Sequence, residues 1–523
     1  MKQKARVREV RLTAVVFAAL LFLSGTVVTV LAADGQPSIK AAPRTTNDIA
    51  TLLSQHQPDQ KRAEELRAIL NSKPPQTVSD ADQTSYHLQR MKAAKEAGAL
   101  DVRIESARKV VETGPFSTRG FDMGQVIFAE VEGGSSAAAL EHIEKVLRYG
   151  AMLYGQNVNM RVMQSIAYID LGDIENASKS LREADQWNNS YRNEYWWPAY
   201  RYTYEKLIEV ARARILTMQG KYAEAEAAMR KSVDAAIADI ATIPMKSVKD
   251  EKFVYEHSVN TRLADLAGVL AMQGRLNEAE FTARRALNDT VSRFGGYSFQ
   301  TAYILTALIQ ILQQQGRYAE AVSLAKTTID IFTKSGAVDD AKYLVYTRNL
   351  LASALVAQGN YADALAEYHR IHASFAAYPE SQGRLAAGNA DWALALVQTG
   401  KPDEALPMLD RIIARNAMWL GKAHGEIAIM TGVKGMALVA SGQKDAAFAQ
   451  FRMAMPILLN EIVSPSDEVS PMRAQRLKTI MEAYLSLLGR AKVRRSNNLP
   501  AWILPAMPSR LPTRCVDKIP SKP

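Results

Sequence analysis

Cysteine is almost missing from this chain: Cys515 is the one example in 523 residues. A disulfide framework and any cysteine-built zinc site are therefore excluded. Histidine is scarce too. Of seven copies, only His369 and His372 stand three apart on a helical pattern, and no third ligand is evident, so no metal is expected. There is no phosphate-cradling G-x-x-x-x-G-K-[ST], no H-E-x-x-H, no G-x-S-x-G and no G-x-G-x-x-G. Neither a catalytic residue nor a cofactor nor a small-molecule substrate is expected. Cys515 lies in a proline-rich tail that offers no rigid base to activate it. Runs that alternate apolar and polar residues are also missing, so no strand is expected.

The net charge of +10 is not spread over the chain. Residues 1–11 carry +4 and residues 490–523 carry +7, which leaves the remaining 478 residues at −1. A nucleic-acid surface would place positive charge on the folded body, so no nucleic-acid partner is expected.

Lys2, Lys4, Arg6, Arg8 and Arg11 precede an uncharged run over residues 12–33. A basic start, an apolar stretch and small residues near Ala32 fit a cleaved secretory signal. The 22-residue run is also long enough for an uncleaved membrane anchor with its basic end in the cytoplasm. Either alternative exports the body from a bacterial cytoplasm, to the periplasm or medium or to the outer side of the inner membrane. Residues 34–83 are rich in Pro, Gln, Asp, Ser and Thr and read as a linker with a short helix near 61–71.

From about residue 84 the apolar residues recur at helical spacing, and an all-α body is expected. One phrase repeats around Gly172, Gly220, Gly274, Gly316, Gly359, Gly400 and Gly442, at spacings of 48, 54, 42, 43, 41 and 42. Five residues after each glycine stands an alanine: Ala177, Ala225, Ala279, Ala321, Ala364, Ala405 and Ala447. Four before it stands Tyr168, Leu216, Leu270, Leu312, Leu355, Leu396 or Leu438. Seven before it the residue is small, from Ser165 to Gly435, with Ile309 the exception. Weaker copies centre on Gly98 and Gly134. A glycine ends the first helix of each pair at little steric cost, and small residues let the two backbones approach. Such pairs cannot bury their apolar faces alone, so they stack.

Segments 211–233, 266–287, 305–331, 349–371 and 393–412 resemble the tetratricopeptide repeat. The period of about 42 resembles the long-helix variety seen in kinesin light chain. The resemblance implies a right-handed α-solenoid over residues 84–490, with seven clear repeats and up to nine, binding a protein or peptide in its concave groove. Residues 473–490 resemble the helix that precedes the peptidase-like domain in bacterial CHAT-domain proteins. In that family an Ala-Asp-x-x-Arg-Gly segment follows. Here residues 512–518 can be written with codons that encode a matching segment in another frame. The alternative reading is thus the targeting or regulatory repeat half of a CHAT-type protein. Residues 491–523, which hold most of the chain's late prolines, are then a disordered tail of frameshift origin.

One cluster stands apart. Tyr191, Tyr195, Trp196, Trp197, Tyr200, Tyr202 and Tyr204 crowd one window inside the irregular 48-residue gap. Tyr195, Trp196, Tyr200 and Tyr204 are the candidate partner-binding residues, as an aromatic platform. The competing role is filling a wide space between repeats, because Trp196, Tyr200 and Tyr204 follow helical spacing.

Overall fold

The computed structural model describes residues 45–75, 79–114, 119–133, 135–148, 155–243, 252–374, 388–463 and 471–494. The basic apolar start (1–33), Gly134, Cys515 and the tail from residue 495 lie outside the described residues.

Among the described residues the structure is helical throughout, without strands. The first helices are α1 (Asn47–Ser54), α2 (Gln60–Asn71), α3 (Asp80–Ala97), α4 (Leu100–Thr113), α5 (Arg119–Glu132) and α6 (Ser136–Arg148). The clear repeats begin with α7 (Gln156–Leu171) and α8 (Ile174–Ser190), then α9 (Trp197–Met218) and α10 (Tyr222–Ala241), α11 (Lys252–Met272) and α12 (Leu276–Phe294). They continue as α13 (Phe299–Gln314) and α14 (Tyr318–Lys334), α15 (Lys342–Ala357) and α16 (Tyr361–Ser374), α17 (Ala390–Gln398) and α18 (Pro402–Leu420), α19 (Gly425–Ala440) and α20 (Lys444–Val463). A last helix, α21, spans Pro471–Arg494. From α2 onward each helix packs on its neighbours in sequence, and first helices also touch first helices two places on, the layout of an α-solenoid.

The repeated phrase has a geometric cause at every position. All seven turn glycines have φ between 72° and 81°, the left-handed region. The N–H of the residue after each glycine donates to the carbonyl four before it, as from Lys221 to Leu216 and from Gln443 to Leu438, at 2.8–3.1 Å. This bond closes the helix end and ties the leucine position to the glycine. The seven alanines five residues on are all 0 % exposed. They sit where the second helix leans on the first, so a larger side chain there would force the pair apart.

The exception at Ile309 follows from volume. The position sixteen residues further on, on the partner helix, holds Ala325. Gly435, the smallest member of the series, is matched by Phe451 at the same offset. Large and small residues alternate across the pair, so total volume is kept.

Residues 45–75 hold the short helix expected near 61–71, which is α2, and a further helix, α1, and both pack on the repeats. Ile49 and Leu53 of α1 enter the main apolar core together with Leu266, Leu305 and Leu344. Asp48 pairs with Arg284 at 2.6 Å, and Arg284 also donates to the Thr45 carbonyl at 3.1 Å. The α2 helix lies against Gly336, where an added Cβ would be 3.3 Å from the Ala63 Cα. The turn after α3 reaches the same region, with the Val338 N–H donating to the Ala97 carbonyl at 3.2 Å. The apolar stripe of α1 is only two residues wide, too short to register as a period against a polar background.

Charge also stitches repeat to repeat. Glu280, whose side chain is 2 % exposed, accepts from both Arg284 and Arg317 and from the Gln315 amide. Glu278 and Glu320 stand in the first turns of α12 and α14, near the positive end of the helix dipole, and pair with Arg275 and Arg317.

Candidate functional site

The first helices of successive repeats form one side of the solenoid, and their outward face is built from tyrosines and charges. Tyr303 and Tyr343, on α13 and α15, meet edge to face with ring centroids 4.7 Å apart. The Tyr303 hydroxyl donates to Asp265 on α11 at 3.2 Å. Asp265 in turn pairs with Arg262 at 3.3 Å. The Tyr346 hydroxyl donates to the Gln310 side-chain Oε1 at 3.2 Å. The His257 ring lies against Phe294 and Tyr303. These bonds run from repeat to repeat and fix rings that are partly buried against the main core.

Electrostatics on this face are set by enclosure. Burial raises the phenol pKa values of Tyr303, Tyr343 and Tyr346, so all three stay neutral donors. Burial, with the Arg262 charge behind it, lowers His257 to about 4 and leaves it neutral at physiological pH. Lys342 retains open surface yet is crowded by chain, and burial lowers its pKa against the opposing pull of Glu132. Its ammonium stands 6.0 Å from the Tyr343 ring centre. Rigid aromatic rings beside a lysine and an arginine suit recognition of a peptide by stacking, hydrogen bonding and charge. These residues lie outside the repeated phrase, yet Tyr303 and Tyr346 both stand thirteen residues before their turn glycines, Gly316 and Gly359.

Further along the same face, α21 folds back over the first helices. It touches α13, α15, α19 and α20, and Arg476 makes a two-pronged bond to Asp391 of α17, at 3.0 and 2.6 Å. Met472, Leu477, Ile480 and Leu487 form its buried stripe. A cleft of about 220 Å³ remains beside it, lined by Ser353, Tyr361, Asp391, Met472 and Arg476 among others.

The four aromatic candidates are separated by depth. Tyr204 is 3 % exposed and packs face to face with Trp197, its ring against Gly155. Trp196 and Tyr200 are partly buried on the same cluster. Tyr195 is 83 % exposed, and Trp187 nearby is 41 % exposed. Trp187, Tyr191 and Trp196 form a continuous chain of ring contacts from the surface inward. His372 rests edge-on against Trp392. Among the described residues no group of three His, Cys, Asp or Glu side chains is placed to hold a metal. Nor is any helix among them long and apolar enough to cross a membrane.

Comparison with known proteins agrees on the repeat. Tetratricopeptide-repeat models match residues 158–191, 209–231, 345–370 and 390–457. The chain therefore carries tetratricopeptide repeats. No curated protein matches its sequence. Similar solved structures include the nearly identical TPR-like repeats of a kinesin light chain from Podosopora anserina, at 20% identity over 39% of this chain and 99% of that one, with a TM-score of 0.31. BtubC from P. vanneervenii is 16% identical over 46% of this chain and 94% of its own, at a TM-score of 0.35. A Rap protein in complex with competence and sporulation factor is 13% identical over 72% and 98%, at a TM-score of 0.39.

Proposed function

We propose that this chain is a non-catalytic scaffold that binds a peptide or partner protein on the solenoid face built by Tyr303, Tyr343, Tyr346, Arg262 and Lys342. The tyrosine ladder carries the reading. Tyr303 and Tyr346 are held by bonds to Asp265 and Gln310, and Tyr343 by its ring contact with Tyr303, so little freedom is lost when a partner meets them. The peptidic class of partner rests on the tetratricopeptide repeats, which serve protein recognition. A photo-crosslinking side chain at position 346 and a Tyr343→Ala variant test the proposal. Crosslinks to a protein or peptide, lost in Tyr343→Ala with the helical signal unchanged, support it. Undiminished crosslinking in that variant refutes it.

We further propose that the body works outside the cytoplasm, on the basic and apolar sequence of residues 1–33. Fractionation with N-terminal sequencing decides between a cleaved signal and an anchor, and a soluble cytoplasmic chain with an intact N-terminus overturns both. The exposed ring of Tyr195 supports a second contact patch around Trp196 and Tyr200, with Tyr204 holding it from beneath. The CHAT-related role rests on the resemblance of residues 473–490 alone. Reading the coding DNA in the alternative frame tests it, and a frame without a peptidase-like domain removes it.

A further inference from the structure

The α21 helix is seated as a ligand would be. Its buried residues Met472, Leu477, Ile480 and Leu487 and the part-buried Arg476 fall on one side, while Arg473, Gln475, Lys478, Glu482 and Leu485 face water. That is the pattern of an amphipathic helix laid in a groove. A next repeat would place α21 side by side with α20. The α21 helix does touch α19 and α20, but it also runs back across first helices as distant as α13, which a next repeat would not reach. Two features of the repeats are shaped to receive it. Gly432 of α19 leaves a notch for Ile480, since a Cβ there would lie 2.7 Å from the Ile480 Cγ2. Asp391, buried on α17, presents both oxygens to Arg476. A cleft stays open beside Arg476, at the edge of the α21 seat.

We propose that the face formed by α13, α15, α17 and α19 is a docking site for an amphipathic helix bearing an arginine for Asp391 and a branched apolar residue for the Gly432 notch, and that α21 is its resident occupant. A partner helix with arginine at one position and isoleucine or valine four residues later satisfies both features. Such a partner displaces α21 rather than adding beside it. The inference rests on reading the first-helix face as a binding surface, but it concerns other residues than the tyrosine ladder.

A labelled peptide of residues 471–494 is the probe, titrated against the full chain. Arg476→Gln with Ile480→Ala weakens the resident helix and leaves the site intact, so peptide binding tightens at least tenfold over the wild-type chain. Adding Gly432→Leu fills the notch and abolishes the gain. Asp391→Arg does the same, and a peptide with Arg476→Asp restores binding to it. Equal affinity for wild-type and weakened chains overturns the proposal. Should the weakened chain lose helix, hydrogen exchange of the wild-type chain decides. Amides of α21 that exchange well before those of α19 support an exchangeable occupant, and equal protection of the two overturns it. Failure of this peptide with the Tyr343→Ala effect intact removes only the α21 inference. The converse result removes the tyrosine-ladder reading.

Discussion

Gly435 stands directly against Phe451: a methyl group on the glycine would lie 2.9 Å from the ring. One residue precedes its turn by seven and the other follows it by nine, so the smallest member of the repeated phrase faces an aromatic ring in one contact. In an unobstructed helix, replacing glycine by alanine stabilises by about 1 kcal/mol. Here overpacking against the ring costs about 1–3 kcal/mol and reverses the sign. Gly435→Ala is therefore expected to lower the urea midpoint, and Phe451→Leu in the same chain to recover part of it. Gly268, inside α11, has nothing within 4 Å of an added Cβ, and Gly268→Ala is expected to raise the midpoint.

Two turn glycines separate strain from crowding. Gly359 has φ +81° and open space around its Cβ position. Gly359→Ala carries only the left-handed penalty, about 1–2 kcal/mol. Gly98 has φ +70°, and its added Cβ would lie 2.7 Å from that of Ala341. Gly98→Ala carries the same strain plus an overlap worth about 1–3 kcal/mol. Paired thermal melts are expected to rank Gly98→Ala as the more damaging. Equal melting temperatures would contradict the seating of α3 and α4 on the repeats.

The junction between α4 and the loop before α15 responds to pH. Burial, then hydrogen bonding and repulsion from Asp340, raise the Asp101 carboxyl from 3.8 to about 7. Burial raises Asp340 as well, with Asp339 adding repulsion. An acid whose folded-state value exceeds its unfolded value binds its proton better when folded. Its stabilisation is full below about 4, fades as pH rises to about 7 and is gone above. Asp340→Asn removes the competing charge. The stability difference between variant and wild type, followed by urea denaturation, is expected to favour the variant increasingly from pH 4 to 7. A difference independent of pH would refute the pairing.

Depth separates the aromatic cluster into two roles that stability measurements distinguish. Tyr204→Ala empties a buried site and is expected to cost about 3–5 kcal/mol. Tyr195→Ala, at the exposed end, is expected to change stability by no more than about 0.5 kcal/mol. A large loss from Tyr195→Ala would place that ring in the core.

The repeats were legible because each one states the same local rule. Glycine, the leucine four before it and the alanine five after it are joined by one hydrogen bond and one helix contact, all within about ten residues. Nothing local marks where the ends of the body go. The α1 stripe is Ile49 and Leu53 alone, and the partner of Asp48 lies 236 residues away. The α21 helix shows its apolar stripe plainly, but periodicity cannot say which surface a stripe will cover. Tyr303 and Tyr346 escaped notice because their shared offset is distant from the turn and lacks a counterpart in every copy.

The clasp between Asp48 and Arg284 sets an order of events during synthesis. Repeat pairs consolidate with their immediate neighbours as they leave the ribosome. The α1 segment emerges early but waits for 236 further residues before its counterpart exists. At ~5–20 residues per second, that delay is roughly 10–50 s. Over that interval the Asp48 counterpart is missing, so an early-translated helix is seated late and stays open to chaperones at least until α12 arrives.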